Sequence, residues 1–380
     1  MCWRCPGTFQ AVAGGPSRSR YSPTISASPS PLRATWWTRS QPNSSIQIRC
    51  RARPGRGLPT DLAIIGSPGL EGRLHSERPN PRSLLGIEGV PRPEIERLLE
   101  RGRHYKAVPP NKKLATLAGR SIVNLFFEPS TRTRTSFEIA AKRLGADTIG
   151  IQALGTSLSK GESLVDTLNT LAAMSPDIIV MRHAASGAPH FLSRFLSIPM
   201  INAGDGRHEH PTQALLDALT ILEVKGTLER LRVAIIGDIS HSRVARSNLH
   251  LLSKFGADII ACGPATTVSK NLPLLAPGVG LTYDMREAVR DADVIMMLRV
   301  QLERQNVEVF PKSEYFRYYG LTLEHMALAK PDAIVLHPGP INRGREISSE
   351  VADSQRSMIL SQVENGVAIR MAVLEWVCLE

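Results

Sequence analysis

The alternation of hydrophobic and polar positions changes character near Ser83. Upstream, Arg, Ser, Pro and Gly dominate, and neither a strand-like nor a helix-like period is sustained. Downstream, short β-rich runs alternate with stretches whose apolar residues recur at helical spacing. The pattern predicts strands at 121–127, 146–151, 177–182 and 200–203, interleaved with helices at 132–144, 162–174 and 211–223. A second series predicts strands at 231–237, 258–262, 294–298 and 333–336, with helices at 242–255 and 285–292. Such alternation implies parallel sheets covered by helices on both faces. The expected fold class is α/β: two doubly wound parallel-sheet domains behind a disordered N-terminal extension. The expected bounds are 1–83 for the extension, 84–219 for the first domain and 220–360 for the second. The last stretch reads as a helix apolar on one face, with 361–380 packing back across the boundary to complete the first domain. Crevices at the carboxyl ends of parallel strands are where such folds bind ligands.

Charge refines this picture. The chain carries a formal net charge of +11 over 380 residues. Residues 1–83 hold twelve Arg, no Lys and three acids (Asp61, Glu71, Glu77), a net of +9. The remainder holds 34 basic and 32 acidic residues, a net of +2. The body is nearly neutral, which argues against nucleic acid as its partner. No run approaches the roughly 18–20 apolar residues of a membrane span, so no membrane partner is expected. Of the five cysteines, Cys2 and Cys5 have Cys-x-x-Cys spacing, but no second pair completes a zinc site. An odd count without a spacing pattern fits a reducing compartment. Three readings compete for residues 1–83: a disordered extension, an organellar transit peptide, or translated leader that is not native protein. The absence of Lys before Lys106 favours the third. A cytoplasmic location is expected, or an organellar one if the segment is a genuine transit peptide.

The chemistry lies in short segments at strand ends. Ser130-Thr131-Arg132-Thr133-Arg134 follows a buried strand and opens a helix. Unpaired N–H groups, the positive dipole end, hydroxyls and guanidinium forks together describe a site for a phosphate dianion. Arg182 ends the strand 177–182, and taken alone it reads equally as a surface residue. His208-Glu209-His210-Pro211 suggests a metal at first sight. Its i, i+2 spacing places the histidines in a loop and no third ligand is apparent, so no metal and no cofactor are expected. Ile236-Gly237-Asp238 before a helix lacks the remaining glycines of a dinucleotide fingerprint. Arg243 there is a candidate ligand for a carboxylate or phosphate, and Arg246 a structural ion-pair residue.

Residues 126–138, Phe-Phe-Glu-Pro-Ser-Thr-Arg-Thr-Arg-Thr-Ser-Phe-Glu, resemble the signature of the carbamoyltransferase family, and further motifs follow in order over roughly 84–380. The resemblance implies that Ser130, Thr131, Arg132 and Thr133 grip the phosphate of carbamoyl phosphate. It implies that Arg182 and His210 hold the carbonyl oxygen, that Gln213 accepts from the carbamoyl NH₂, and that backbone at Gly339 and Pro340 completes that subsite. Lys160, in the loop 156–162, would reach into a neighbouring subunit's site with Ser157 or Ser159, which implies a homotrimer with shared active sites. A regulatory or dihydroorotase-like protein is a further partner that the resemblance admits. The acceptor follows from charge. Arg243 and Arg299 suit a dicarboxylate, the resemblance implies that Arg299 and Gln301 bind the aspartate carboxylates, and the His337 motif has no Cys of the ornithine-using branch. The implied substrates are carbamoyl phosphate and L-aspartate, with the phosphate leaving group taking the amine proton. The alternatives are an ornithine-type enzyme and an inactive homologue serving as an assembly partner.

Overall fold

The computed structural model describes residues 82–152, 163–299 and 312–379. The expectation for residues 1–83 therefore lies outside the described residues, save for Arg82 and Ser83. Ser83 and Leu84 begin the fold. Met200 N donates to Ser83 Oγ (2.9 Å), and Leu84 N to Met200 O (3.0 Å).

The first lobe runs α1 (Arg92–Ala107), β1 (Ser121–Phe126), α2 (Thr131–Arg143), β2 (Asp147–Gln152), α3 (Leu164–Ala173), β3 (Ile178–His183), α4 (Ala188–Ser193), β4 (Met200–Asp205) and α5 (Pro211–Lys225). The second runs β5 (Arg232–Ile236), α6 (Arg243–Lys254), β6 (Asp258–Cys262), α7 (Leu272–Leu275), β7 (Gly280–Thr282), α8 (Met285–Val289), β8 (Val294–Met297), α9 (Lys312–Tyr319), α10 (Leu323–Met326), β9 (Ile334–Leu336), α11 (Ser349–Ala352) and α12 (Ile359–Leu379). The sheets have strand orders β2-β1-β3-β4 and β7-β6-β5-β8-β9. All their pairings are parallel.

Strand side chains point alternately to opposite faces, and here both faces are buried. In the first sheet Ile122, Ile178 and Val180 enter one core, while Val123, Leu125, Ile179 and Met181 enter another. In the second, Val233, Ile235, Val294 and Met296 join the same core as Ile122. Ala234, Ile236, Ile295 and Met297 face a third. The shared core is filled by α5, α6 and α12, so one apolar mass fixes both lobes about the crevice between them.

Three expectations change. The expected boundary at 219/220 falls inside α5, which continues to Lys225 and ends where Gly226 takes a left-handed φ of 73°. The C-terminal helix is not apolar on one face only. From Ala368 to Leu374 every residue is buried, because α12 is enclosed by α1, α2 and α5. Finally, α1, α4, α7, α9, α10, α11 and β7 were not foreseen. In α1 the apolar positions Ile95, Leu98, Leu99 and Tyr105 are diluted by nine charged or His residues, so the buried stripe is narrow. No helix among the described residues is long and apolar enough to cross a membrane.

Candidate active site

The carboxyl ends of β1, β3, β5, β8 and β9 face the amino ends of α2, α5 and α6 across a cavity of about 660 Å³. Ser130, Thr131, Arg132, Thr133, Arg182, His210, Gln213, Arg243, Arg299, Gly339 and Pro340 all line it. Lys160 and Gln301 lie outside the described residues, as do Ser157 and Ser159.

Glu128-Pro129 leaves β1 and delivers Ser130 to the N-cap of α2, with extended backbone (φ −160°, ψ 90°). Its hydroxyl makes no capping hydrogen bond, although Ser is a favoured N-cap residue. The helix start thus presents hydroxyls and orphan N–H groups to the cavity together. Arg134 is not part of the cradle. Two residues along a helix points away from Arg132, and Arg134 Nε lies 3.5 Å from Glu138 Oε1. Arg132 crosses the cavity to the loop after β9. Gly339 has φ 61°, and a Cβ there would stand 2.3 Å from Arg132 Nη1, so only glycine lets the guanidinium approach. Burial, and then the charge of Arg299, lower the pKa of Arg132.

Arg182 ends β3 and Arg243 opens α6. Glu128 Oε2 lies 3.1 Å from Arg182 Nε and accepts from Arg243 Nη2 at 2.8 Å. Arg182 Nη1 also donates to Ala203 O (3.2 Å), and Arg243 Nη1 to Gly206 O (3.3 Å). Gly204, with φ 115°, makes room for both side chains. A Cβ there would be 3.0 Å from Arg243 Nε and 3.2 Å from Arg182 Nη1. Arg246, expected to form a structural ion pair, forms none with the described residues.

His210 is the N-cap of α5 and is only 4% exposed. Its N–H donates to Ser247 Oγ (2.8 Å), which donates to Glu209 Oε2 (2.8 Å). The same carboxylate oxygen accepts from Ile87 N (2.7 Å). Burial, and then Arg182, Arg243 and Arg370, hold the His210 pKa well below the usual imidazole range. A neutral ring can donate one hydrogen bond but is a weak base. One turn on, Gln213 turns its Nε2 to Asp217 Oδ1 (2.9 Å).

The His208-Glu209-His210 run does meet third metal-type ligands in space. His190, Asp205 and His208 form one group, and Glu88, Glu209 and His250 another, each with ligand atoms within 4.8 Å of one another. Asp205 lies three residues before His208, but His190, Glu88 and His250 come from distant segments, which is why the sequence did not reveal the groups. Protein donors already occupy the central carboxylates. Asp205 accepts from Asn202 Nδ2, Glu209 N, Gly187 N and His208 Nδ1 at 2.6–3.0 Å. Glu209 accepts from Ile87 N, Glu88 N and Ser247 Oγ. Neither group lines the cavity.

Sequence reasoning assigned no role to Glu128, Ser136, Ser242, Gln362 or Arg370, which also line the cavity. Arg370 was the most detectable, as a lone cation in the apolar run 366–374. It packs over the Phe137 ring at 5.1 Å and donates from Nη1 to Gly366 O (2.9 Å). Burial lowers its pKa to about 10. Five arginines thus face one carboxylate, Glu128, among the described lining residues. Such a cavity suits ligands carrying several negative charges.

Known proteins place this arrangement. Residues 82–223 match the family model of the aspartate/ornithine carbamoyltransferase carbamoyl-P binding domain, and 229–377 that of the Asp/Orn binding domain. The aspartate carbamoyltransferase catalytic subunit of Solibacter usitatus is 71% identical over 297 residues, covering 78% of this chain and 98% of that protein. The Methylorubrum populi counterpart is 56% identical, covering 77% and 94%. A crystal structure of Trypanosoma cruzi aspartate transcarbamoylase with N-(phosphonacetyl)-L-aspartic acid superposes with a TM-score of 0.72 at 31% identity, covering 78% and 95%. Ornithine carbamoyltransferase from Pyrococcus furiosus gives 0.70 at 31% identity, covering 77% and 96%. The chain belongs to the aspartate/ornithine carbamoyltransferase family.

Proposed function

We propose that the chain transfers the carbamoyl group of carbamoyl phosphate to the α-amine of L-aspartate, in the cytoplasm, as a step of pyrimidine synthesis. The observation that carries this is the charge of the cavity. Its single described carboxylate, Glu128, is already engaged by Arg182 and Arg243. A cationic ornithine side chain finds no further acid among the described lining residues, whereas a dicarboxylate meets Arg243 and Arg299.

Ser130, Thr131, Arg132 and Thr133 hold the phosphate at the start of α2. Arg182 and His210, with Thr133, surround the carbonyl oxygen. Gln213 and the Gly339-Pro340 backbone take the NH₂. The neutral amine of aspartate attacks the carbonyl carbon, forming the C–N bond and a tetrahedral oxyanion. The C–O bond to phosphorus's oxygen then breaks, and the departing phosphate takes the amine proton. His210 is too weak a base for that proton, so its part is to donate to the growing oxyanion. Lys160 and Gln301 complete the aspartate side, Lys160 from the next subunit of a trimer.

Binding of N-(phosphonacetyl)-L-aspartate, which joins both substrates in one molecule, tests this reading. The analogue should raise the melting temperature far more than phosphate and aspartate added separately. No shift beyond the separate ligands would overturn it.

A further inference from the structure

We propose that Asp217 is a positioning residue that sets the orientation of the Gln213 amide, so that the Gln213 oxygen faces the carbamoyl NH₂. This rests on the assignment of Gln213 to the carbamoyl group given above.

Three side-chain amides from three helices converge on this one carboxylate. Gln213 Nε2 donates to Oδ1 at 2.9 Å, Gln362 Nε2 to Oδ1 at 2.7 Å, and Asn248 Nδ2 to Oδ2 at 2.8 Å. Asp217 is 1% exposed and does not line the cavity, whereas Gln213 and Gln362 do. An ionised carboxylate only accepts hydrogen bonds. Each amide must therefore turn its NH₂ inward and its oxygen away. For Gln362 the result is visible, because its Oε1 accepts from His337 N at 2.9 Å. That bond ties down the start of the loop carrying Gly339 and Pro340. For Gln213 the corresponding oxygen is left for the substrate.

An amide at position 213 without this carboxylate has two nearly isosteric poses, and only one offers an acceptor to an NH₂ group. A donor facing the carbamoyl NH₂ would leave two donors opposed. Burial raises the Asp217 pKa to about 6, against which the hydrogen bonds from Asn248, Gln362 and Gln213, and then the charge of Arg370 on α12, favour the ionised form. The carboxylate thus sits behind the substrate subsite and acts on it through Gln213 and Gln362.

The test compares purified Asp217→Leu, Gln213→Ala, Gln213→Glu and the double variant Asp217→Asn/Gln213→Glu. Binding is measured with phosphonoacetamide, which keeps the carbamoyl-type NH₂, and with inorganic phosphate, which lacks it. Asp217→Leu, which accepts no hydrogen bond, should weaken phosphonoacetamide about 10–100-fold and leave phosphate within about twofold. Equal weakening of both, or of neither, overturns the proposal. Gln213→Glu alone sets two carboxylates against each other. Adding Asp217→Asn restores one donor–acceptor contact and leaves an oxygen toward the substrate, so the double variant should bind phosphonoacetamide at least about tenfold better than Gln213→Glu alone. This arm does not depend on Asp217→Leu folding by itself, and no gain counts against the proposal. Wild-type binding in Gln213→Ala would remove the assignment of Gln213 and the proposal with it. Weak binding in Gln213→Ala with normal binding in Asp217→Leu would remove the positioning role alone.

Discussion

Arg243 of the second lobe donates from Nη2 to Glu128 Oε2 of the first at 2.8 Å, and that same oxygen stands 3.1 Å from Arg182 Nε. One carboxylate therefore balances two guanidiniums that reach the cavity from different sheets. The Arg243 side chain is 4% exposed and Glu128 20%, so solvent screens the pair only in part. Anionic substrates would arrive where Glu128 now supplies the only negative charge among the described lining residues.

Removing that charge should destabilise the empty protein. Glu128→Gln removes the carboxylate that Arg182 and Arg243 share, at a cost of about 1–3 kcal/mol after allowing for partial exposure. Saturating phosphate should then raise the melting temperature of the variant more than that of wild type, because the ligand replaces the lost charge. Equal phosphate shifts in the two proteins would count against this pairing.

Arg132 and His210 are assigned to the phosphate and the oxyanion. Arg132→Ala and His210→Ala should each lower turnover by about 10²–10³, while circular dichroism stays that of the wild type. Wild-type turnover in either folded variant would remove that residue from the mechanism.

Asp217 makes stability depend on pH in an unusual direction. Burial raises its pKa to about 6, so the folded state holds the proton more tightly than the unfolded chain does. Its contribution is therefore most favourable below about pH 4 and is lost as pH rises through 6, a change of about 3 kcal/mol. The charged neighbour that moderates the shift is Arg370. Denaturation at several pH values should show wild type losing ground to Asp217→Asn between pH 4 and 7, whatever their absolute difference. Parallel stability curves would contradict the buried ionisation.

The strand-end motifs were legible because each carries its chemistry within a few residues. Ser130 to Thr133 and Arg243 could be nominated from local sequence, and Arg182, His210, Gln213, Arg299 and Gly339 from the resemblance to the carbamoyltransferase family; the fold gathers them around one cavity. What sequence hid was whatever depends on long-range packing. Arg370 and Gln362 reach the site because α12 returns to pack on α2 and α5, more than 130 residues away along the chain. The reading of the terminal helix as one-faced failed for the same reason, since helical periodicity does not show how many neighbours enclose a helix. Asp217 carries no local signal of its role, because its partners Asn248 and Gln362 lie on other helices.

The central claim is the choice of acceptor. The most direct measurement is the rate of phosphate release from carbamoyl phosphate by the purified full chain, with L-aspartate or L-ornithine as acceptor and carbamoyl-amino-acid product quantified by colour. The account predicts product with aspartate and a kcat/KM for ornithine lower by at least about 10³, the size expected when a site built for buried polar contacts meets the wrong partner. Comparable turnover with ornithine, or none with aspartate, would contradict it.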